Sequence, residues 1–138
     1  MFGFSHSGVN EYSRVGLETG VMAANPHTLI IMLYEGAIST CDTAVNHMNN
    51  QDIGNKSASI SKAITIIESG LRLSLDKKSG GEIALSLDAL YAYMSDRLYI
   101  ANIKNQTEPI REVIKLLQDL KGAWEAIGSK PMAASIHQ

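Results

Sequence analysis

Apolar residues recur at intervals of three and four along most of the chain, the spacing at which side chains share one face of an α-helix. Only three prolines interrupt the chain, at positions 26, 109 and 131, so long stretches contain no helix breaker. The pattern predicts four helices of similar length, over residues 25–50, 52–75, 82–105 and 107–128. Because short loops join them, sequential helices should be antiparallel, which predicts an all-α, up-down-up-down four-helix bundle.

Local signals predict where these helices begin and end. Asn25 can accept hydrogen bonds from free backbone N–H groups, and Pro26 suits the first position of a helix. Thr107 is expected to cap the fourth helix, and Gly128 is expected to end it. The segment DKKSGG at 76–81 separates the second helix from the third.

One face of each helix is predicted to form the core. The four faces are Ile30, Leu33, Ala37, Cys41, Ala44 and Met48; Ile60, Ile64, Ile67, Leu71 and Leu75; Ile83, Leu87, Leu90, Met94, Leu98 and Ala101; and Ile110, Val113, Leu117, Leu120, Trp124 and Ile127. A helix needs only one such face to pack in a bundle.

The two ends of the chain differ from this bundle, which is predicted to span residues 25–128. Residues 1–24 carry apolar side chains at helical spacing, but Gly8, Gly16 and Gly20 interrupt them, and each disfavours a helix by about 1 kcal/mol relative to alanine. We therefore expect a short helical cap segment that docks on the bundle and can detach. Residues 129–138 are small and polar and are expected to be a disordered tail.

Composition limits the class of protein. The chain has 138 residues, of which 45% are hydrophobic, and this length suits one domain. Its formal net charge of −2 argues against nucleic-acid binding, and its single cysteine, Cys41, excludes an internal disulfide. Because no uncharged apolar run approaches 18 residues and no signal peptide is evident, we expect a cytosolic protein without membrane insertion.

The sequence offers little support for catalysis, a cofactor or a metal site. It contains no Glu-x-x-His motif, no HExxH, no phosphate-binding loop and no nucleophile elbow. The four histidines are far apart, and for His27 and His47 a surface or capping role is favoured over metal ligation. Cys41 lies on an inward face and is interpreted as a small core residue. The sequence thus predicts neither an enzyme nor a bound cofactor or metal.

The chain has more apolar residues than four core faces require. The run Leu29–Tyr34 is continuous, and further apolar residues lie outside the main faces of the other helices. A wide core face and the docked N-terminal segment would account for about half of this surplus, and the remainder predicts apolar grooves that bind a partner. The candidate partner-binding residues are Val9, Tyr12, Val15, Leu17, Ile31, Tyr34, Ile66, Leu73, Leu85, Tyr91, Tyr93 and Ile114.

Two alternatives remain open at this point. The first is a structural or adaptor bundle that forms a homodimer through its extra apolar face. The second is an enzyme or metal-binding bundle, which the missing ligand motifs make remote.

Five blocks of sequence carry a resemblance to a known family. They are ANPHTLIIMLYEGA at 24–37, SKAITIIESGL at 61–71, GGEIALSLDALYAYMSDRL at 80–98, ANIKN at 101–105 and WEAI at 124–127. Their order and their gaps, over about residues 9–127, resemble the flagellar secretion chaperone family, FliS. One departure is YAYMSDRL, where related sequences usually read like YDYMIRRL, so that Ala92, Ser95 and Asp96 change the local charge.

The resemblance implies an antiparallel four-helix bundle with an N-terminal cap and no enzymatic activity. It also implies a cytosolic protein that binds the C-terminal segment of flagellin, prevents its premature polymerisation and helps deliver it to the export gate of the flagellar type III secretion system. Some family members also bind a flagellar anti-sigma factor or a co-chaperone.

The resemblance assigns a role to the N-terminal segment as well. In the family this segment can occupy part of the flagellin groove, and its tyrosine is implicated in export-gate docking. The matching residue here is Tyr12, with Val9 one helical turn before it. We expect the apolar residues of this segment to shield the groove, so that removal of residues 1–17 exposes it.

Overall fold

The computed structural model describes residues 25–128, which form a bundle of antiparallel helices. The helices are α1 (Pro26–Asn49), α2 (Ile53–Thr65), α3 (Gly81–Lys104) and α4 (Glu108–Ile127). A π-helical segment, Ile66–Arg72, continues directly from α2 and is called the π turn below. Helices adjacent in sequence pack side by side and α4 packs on α1, which confirms the predicted four-helix bundle.

Two of the three capping residues that the sequence predicts, Asn25 and Gly128, act as predicted. The Asn25 side chain accepts a hydrogen bond from the Thr28 backbone N–H at 2.8 Å, as predicted. Gly128 ends α4 with a φ of 68°, a conformation that favours glycine. Thr107 precedes α4, but its side chain makes no capping hydrogen bond, so that part of the prediction is wrong.

The residues that the structure buries include every predicted inward residue of α1 and most of those predicted for the other helices. All six predicted α1 residues are buried, and the π turn and α4 bury Ile67, Leu71, Val113 and Leu117. On α3 the prediction is confirmed for Met94, Leu98 and Ala101, which are fully buried, and is wrong at the start of the helix. Ile83 is 53% exposed, whereas its neighbour Ala84 is fully buried.

The length and composition of α1 would also allow it to cross a bilayer, and among the described helices it alone passes this test. Half of its apolar window is buried within the bundle. A core helix of a globular protein has the same character, and the acidic Glu35 and Asp42 interrupt its apolar sequence.

The π turn replaces the last part of what the sequence predicts as one continuous α-helix to residue 75. Within it, the Leu73 backbone N–H donates to the Glu68 carbonyl at 3.0 Å, a spacing of five residues. Four buried residues lie at successive spacings of four: Ala63, Ile67, Leu71 and Leu75. In a regular α-helix each such step would rotate the side chain by about 40°, and the wider π turn offsets this drift. The irregularity thus keeps one apolar row facing the core.

A buried lysine joins α2 to the C-terminal end of α3. Lys56 is only 3% exposed, and its Nζ donates to the Asn102 carbonyl at 3.1 Å and to the Asn102 Oδ1 at 2.9 Å. The last carbonyls of a helix lack partners within the helix and carry its partial negative charge. The ammonium therefore caps α3 from a neighbouring helix.

We predict that Lys56→Ala lowers the free energy of unfolding by about 2 kcal/mol, because it removes charged hydrogen bonds at a buried site. Urea unfolding followed by circular dichroism measures this change. Lys62→Ala is the matched control, since Lys62 is an exposed lysine of the same helix, and it should alter stability by less than about 0.5 kcal/mol. Equal effects of the two substitutions would contradict the capping role.

Candidate binding surface

Eight of the twelve predicted partner-binding residues lie in the described part of the chain. The other four, Val9, Tyr12, Val15 and Leu17, lie outside the described residues, and their role stays a prediction. The eight fall into three environments: the core, a half-buried margin and the open surface.

Tyr34 and Tyr91 lie in the core, so the prediction that their side chains form part of a binding surface is wrong. Both are fully buried, and their hydroxyl oxygens are 2.6 Å apart in a hydrogen bond. Trp124 also makes a side-chain hydrogen bond to Tyr34. Burial raises the pKa of Tyr34 to about 12 and the pKa of Tyr91 well above its ordinary value. Since each hydroxyl has a partner, the interior holds these rings without an unpaired polar group.

Ile31, Ile66 and Ile114 are partly buried and pack against the core. Of these, Ile66 lines a surface cavity of about 190 Å³ between the start of α1 and the π turn. The other lining residues are Leu29, Met32, Leu33 and Gly36. Met32 is 40% exposed, so the cavity offers an apolar wall that solvent reaches. We call it the α1–π cavity.

Leu73, Leu85 and Tyr93 are exposed, as the prediction of an accessible apolar surface requires. The Tyr93 hydroxyl donates to Glu112 Oε2 at 2.5 Å, and Arg97 Nε donates to the other Glu112 oxygen at 2.7 Å. These hydrogen bonds lower the pKa of Glu112. The aromatic ring of Tyr93 is thereby held across the junction of α3 and α4.

The outward face of α3 carries a second apolar row. It consists of Leu85, Ala89, Ala92, Tyr99 and Ile103, is interrupted by the charged Asp96, and is called the α3 stripe below. Leu85, Tyr99 and Ile103 are 55%, 54% and 81% exposed, values that are high for large apolar side chains. The sequence indicated surplus apolar residues here, but their alignment became evident only once the rotation of α3 was known.

The titratable groups serve structural roles. His27 Nε2 lies 2.7 Å from the Trp124 carbonyl at the end of α4, in agreement with a capping role. His47 lies about 30 Å away along α1, too far for the two to share a metal ion. Burial raises the pKa of the Cys41 thiol to about 12, which leaves it unreactive near neutral pH.

Metal ligands do not cluster in the described residues, 25–128, where no group of three His, Cys, Asp or Glu side chains could hold an ion. The described residues instead present apolar surfaces on a helical bundle. Such an arrangement defines a class of helical binding proteins, which recognise partners by apolar burial.

Comparison with known proteins places the chain within this class. Residues 8–131 match the family model described as flagellar protein FliS, and the chain belongs to this family. It is 42% identical over 127 residues to the flagellar secretion chaperone FliS of Salmonella typhimurium, covering 92% of this chain and 94% of that protein. It is 40% identical over 124 residues to the flagellar secretion chaperone FliSB of Pseudomonas aeruginosa, covering 90% and 98%. The Bacillus subtilis FliS is 34% identical over 108 residues, covering 78% and 79%.

We predict that the buried tyrosine pair makes stability fall at alkaline pH. The raised pKa of Tyr34, about 12 against 10.0, means that its stabilising effect is complete below about pH 10 and is lost as the pH rises towards 12. Tyr34→Phe should lower stability at neutral pH by about 1 to 2 kcal/mol, because it leaves the Tyr91 hydroxyl without its partner.

Thermal unfolding midpoints measured from about pH 8 to about pH 12 test this prediction, because this range spans the ordinary pKa of tyrosine. The decline above pH 10 should be shallower in Tyr34→Phe than in the parent protein. Tyr99→Phe, at an exposed position, is the control and should retain the parent slope. An identical slope in all three proteins would contradict the assignment.

Proposed function

We propose that this protein is a cytosolic export chaperone for flagellin. It binds the disordered C-terminal segment of flagellin, prevents polymerisation before export and assists delivery to the flagellar type III export apparatus. The observation that carries this proposal is similarity over most of the chain to proteins named flagellar secretion chaperones. The proposed activity is binding, without catalysis.

The apolar surfaces give the proposal a physical basis. A disordered amphipathic segment associates with copies of itself unless another surface covers its apolar side chains. The α1–π cavity, at about 190 Å³, is lined mainly by apolar side chains and is open to solvent, so an apolar side chain of a partner can enter it from outside. We assign to it an apolar side chain of the flagellin segment.

Coupled folding and binding explains how such a complex can be released without an energy source. Ordering a flexible segment on binding opposes association by about 2 to 5 kcal/mol, which moderates the affinity. The N-terminal segment would reduce it further by competition, since the chain joins α1 at Asn25, one helical turn before Leu29 of the cavity. Docking to the export gate through Val9 and Tyr12, and binding of an anti-sigma factor or co-chaperone, are parts of the same proposal.

We predict that the full chain binds intact flagellin in solution but does not bind flagellin that lacks its C-terminal segment. The segment supplies the apolar side chains that the chaperone covers, so its removal eliminates the interaction. Isothermal titration with the two purified flagellins measures the difference. Equal binding of both forms, or of neither, would refute the proposed function.

We predict that Gly36→Leu weakens binding of the flagellin segment by about tenfold or more, equivalent to about 1.4 kcal/mol. Gly36 lines the cavity, and a Cβ there would lie 3.7 Å from Ile66 Cδ1, an ordinary contact, so we expect the rest of the leucine side chain to occupy space that the flagellin side chain needs. Helix stability should not fall, because leucine favours a helix more than glycine does.

Gly122→Leu on α4 is the matched control, since a Cβ there meets nothing within 4 Å. Its affinity for the flagellin segment should remain within about twofold of the parent value. If the two leucine variants bind equally well while the parent protein binds flagellin, the cavity is not the contact site, although the proposed function still holds.

A further inference from the structure

The π turn is tied to α3 by a connected set of polar side chains. The Ser95 hydroxyl of α3 donates to Glu68 Oε2 at 2.5 Å, and Arg72 Nη1 donates to Glu68 Oε1 at 3.0 Å. Arg72 Nε donates to Asp88 Oδ1 of α3 at 2.8 Å, and Lys77 Nζ lies 3.4 Å from the same oxygen. We call these side chains the Glu68 network. Its two positive and two negative charges balance, so each charged group is compensated within the network.

Glu68 holds the π turn through both its side chain and its backbone. The side chain reaches Ser95 on α3, while the carbonyl accepts the hydrogen bond from the Leu73 N–H that closes the wide turn. Successive residues of a regular α-helix are about 100° apart, so gain or loss of one residue in the turn would rotate its two ends relative to each other. An anchor on α3 therefore fixes the directions in which the other side chains of the turn point.

The opposite side of the π turn forms one wall of the α1–π cavity. Ile66 is the first residue of the turn and lines the cavity together with residues of α1. A Cβ at Gly36 would lie 3.7 Å from Ile66 Cδ1, so even a small rotation of the turn would change the width of the cavity. The turn thus connects an anchored side, where Glu68 meets α3, with a binding side, where Ile66 meets α1.

We infer that Glu68 is a positioning residue of the α1–π cavity. Its hydrogen bonds to Arg72 and Ser95 fix the π turn, and the fixed turn holds Ile66 at the cavity wall. The inference rests on the proposed function, which assigns this cavity to a flagellin side chain. The Glu68 and Arg72 side chains are each 34% exposed, and ion pairs with such exposure contribute little to stability. The main effect of the pair is therefore on the orientation of the turn.

Isothermal titration of the full chain with the C-terminal segment of flagellin measures the effect on affinity. Glu68→Ala removes both anchoring contacts and should weaken binding about fivefold, whereas Ser95→Ala leaves the pair with Arg72 intact and should weaken it about threefold. Glu68→Gln should bind within about twofold of the parent, since its amide oxygen can still accept a hydrogen bond from Ser95. Asp119→Ala is the matched control, because it removes an exposed ion pair of the same spacing, with Lys115 on α4, and should leave the affinity unchanged.

A purely structural role of the Glu68 network would leave these affinities unchanged. Stability affects the apparent affinity only through the folded fraction, which stays near one in any variant that thermal unfolding shows to be folded at the assay temperature. Nuclear magnetic resonance adds a measurement that needs no flagellin. The Overhauser contact between the Ile66 δ1 methyl and the Gly36 α protons should be present in the parent and weaker in Glu68→Ala. The contact between the Tyr34 and Tyr91 rings should persist in both proteins, since the core is unchanged.

Weaker binding by Glu68→Ala and Ser95→Ala, with Glu68→Gln and Asp119→Ala close to the parent, supports the inference. Ser95→Ala decides alone if circular dichroism shows that Glu68→Ala is unfolded. Parent-like affinity or an unchanged contact between Ile66 and Gly36 in the alanine variants overturns it, and so does an equal loss of affinity in Asp119→Ala. A parent protein that does not bind flagellin refutes the proposed function, whereas the contact between Ile66 and Gly36 still decides whether Glu68 positions the cavity wall.

Discussion

The hydrogen bond between Tyr34 and Tyr91 determines how the third helix is oriented. It joins α1 to α3, which lie across the core from each other, and Trp124 of α4 bonds to the same hydroxyl of Tyr34. A buried hydroxyl without a partner is unfavourable by about 1 to 3 kcal/mol, so both phenols must face the interior together. Once Tyr91 points inward, the rotation of α3 is set, and its other apolar row must face solvent.

This constraint explains why prediction succeeded for α1 and failed in part for α3. The predicted row from Ile30 to Met48 is buried in full, because polar and charged residues occupy the outer side of that helix. On α3, by contrast, apolar residues occur on more than one side, so helical periodicity alone cannot choose between them. The prediction placed Ile83 inward, whereas the structure exposes Ile83 and buries its neighbour Ala84 on the same side as Tyr91. Because the two tyrosines are 57 residues apart, no local pattern reveals their contact.

Sequence analysis also could not predict the polar contacts between helices, because the contacting residues lie on different helices and no local pattern links them. Arg72 donates from Nε to Asp88 at 2.8 Å and from Nη1 to Glu68 at 3.0 Å, and the Ser95 hydroxyl donates to Glu68 at 2.5 Å. These contacts hold the π turn against α3, and the ion pair lowers the pKa of Asp88. The spacing of four between Ile67, Leu71 and Leu75 was visible in the sequence and is the signal that could have indicated the wider turn. The capping of α3 by Lys56 had no such signal, since an isolated lysine in a helix is usually solvated.

The orientation of α3 also separates the two apolar surfaces. The α1–π cavity lies beside α1, whereas the α3 stripe lies on the helix diagonally across the core, on its outward side. One apolar side chain of a partner therefore cannot cover both surfaces. A partner segment that covers both must extend around the bundle from the cavity to α3.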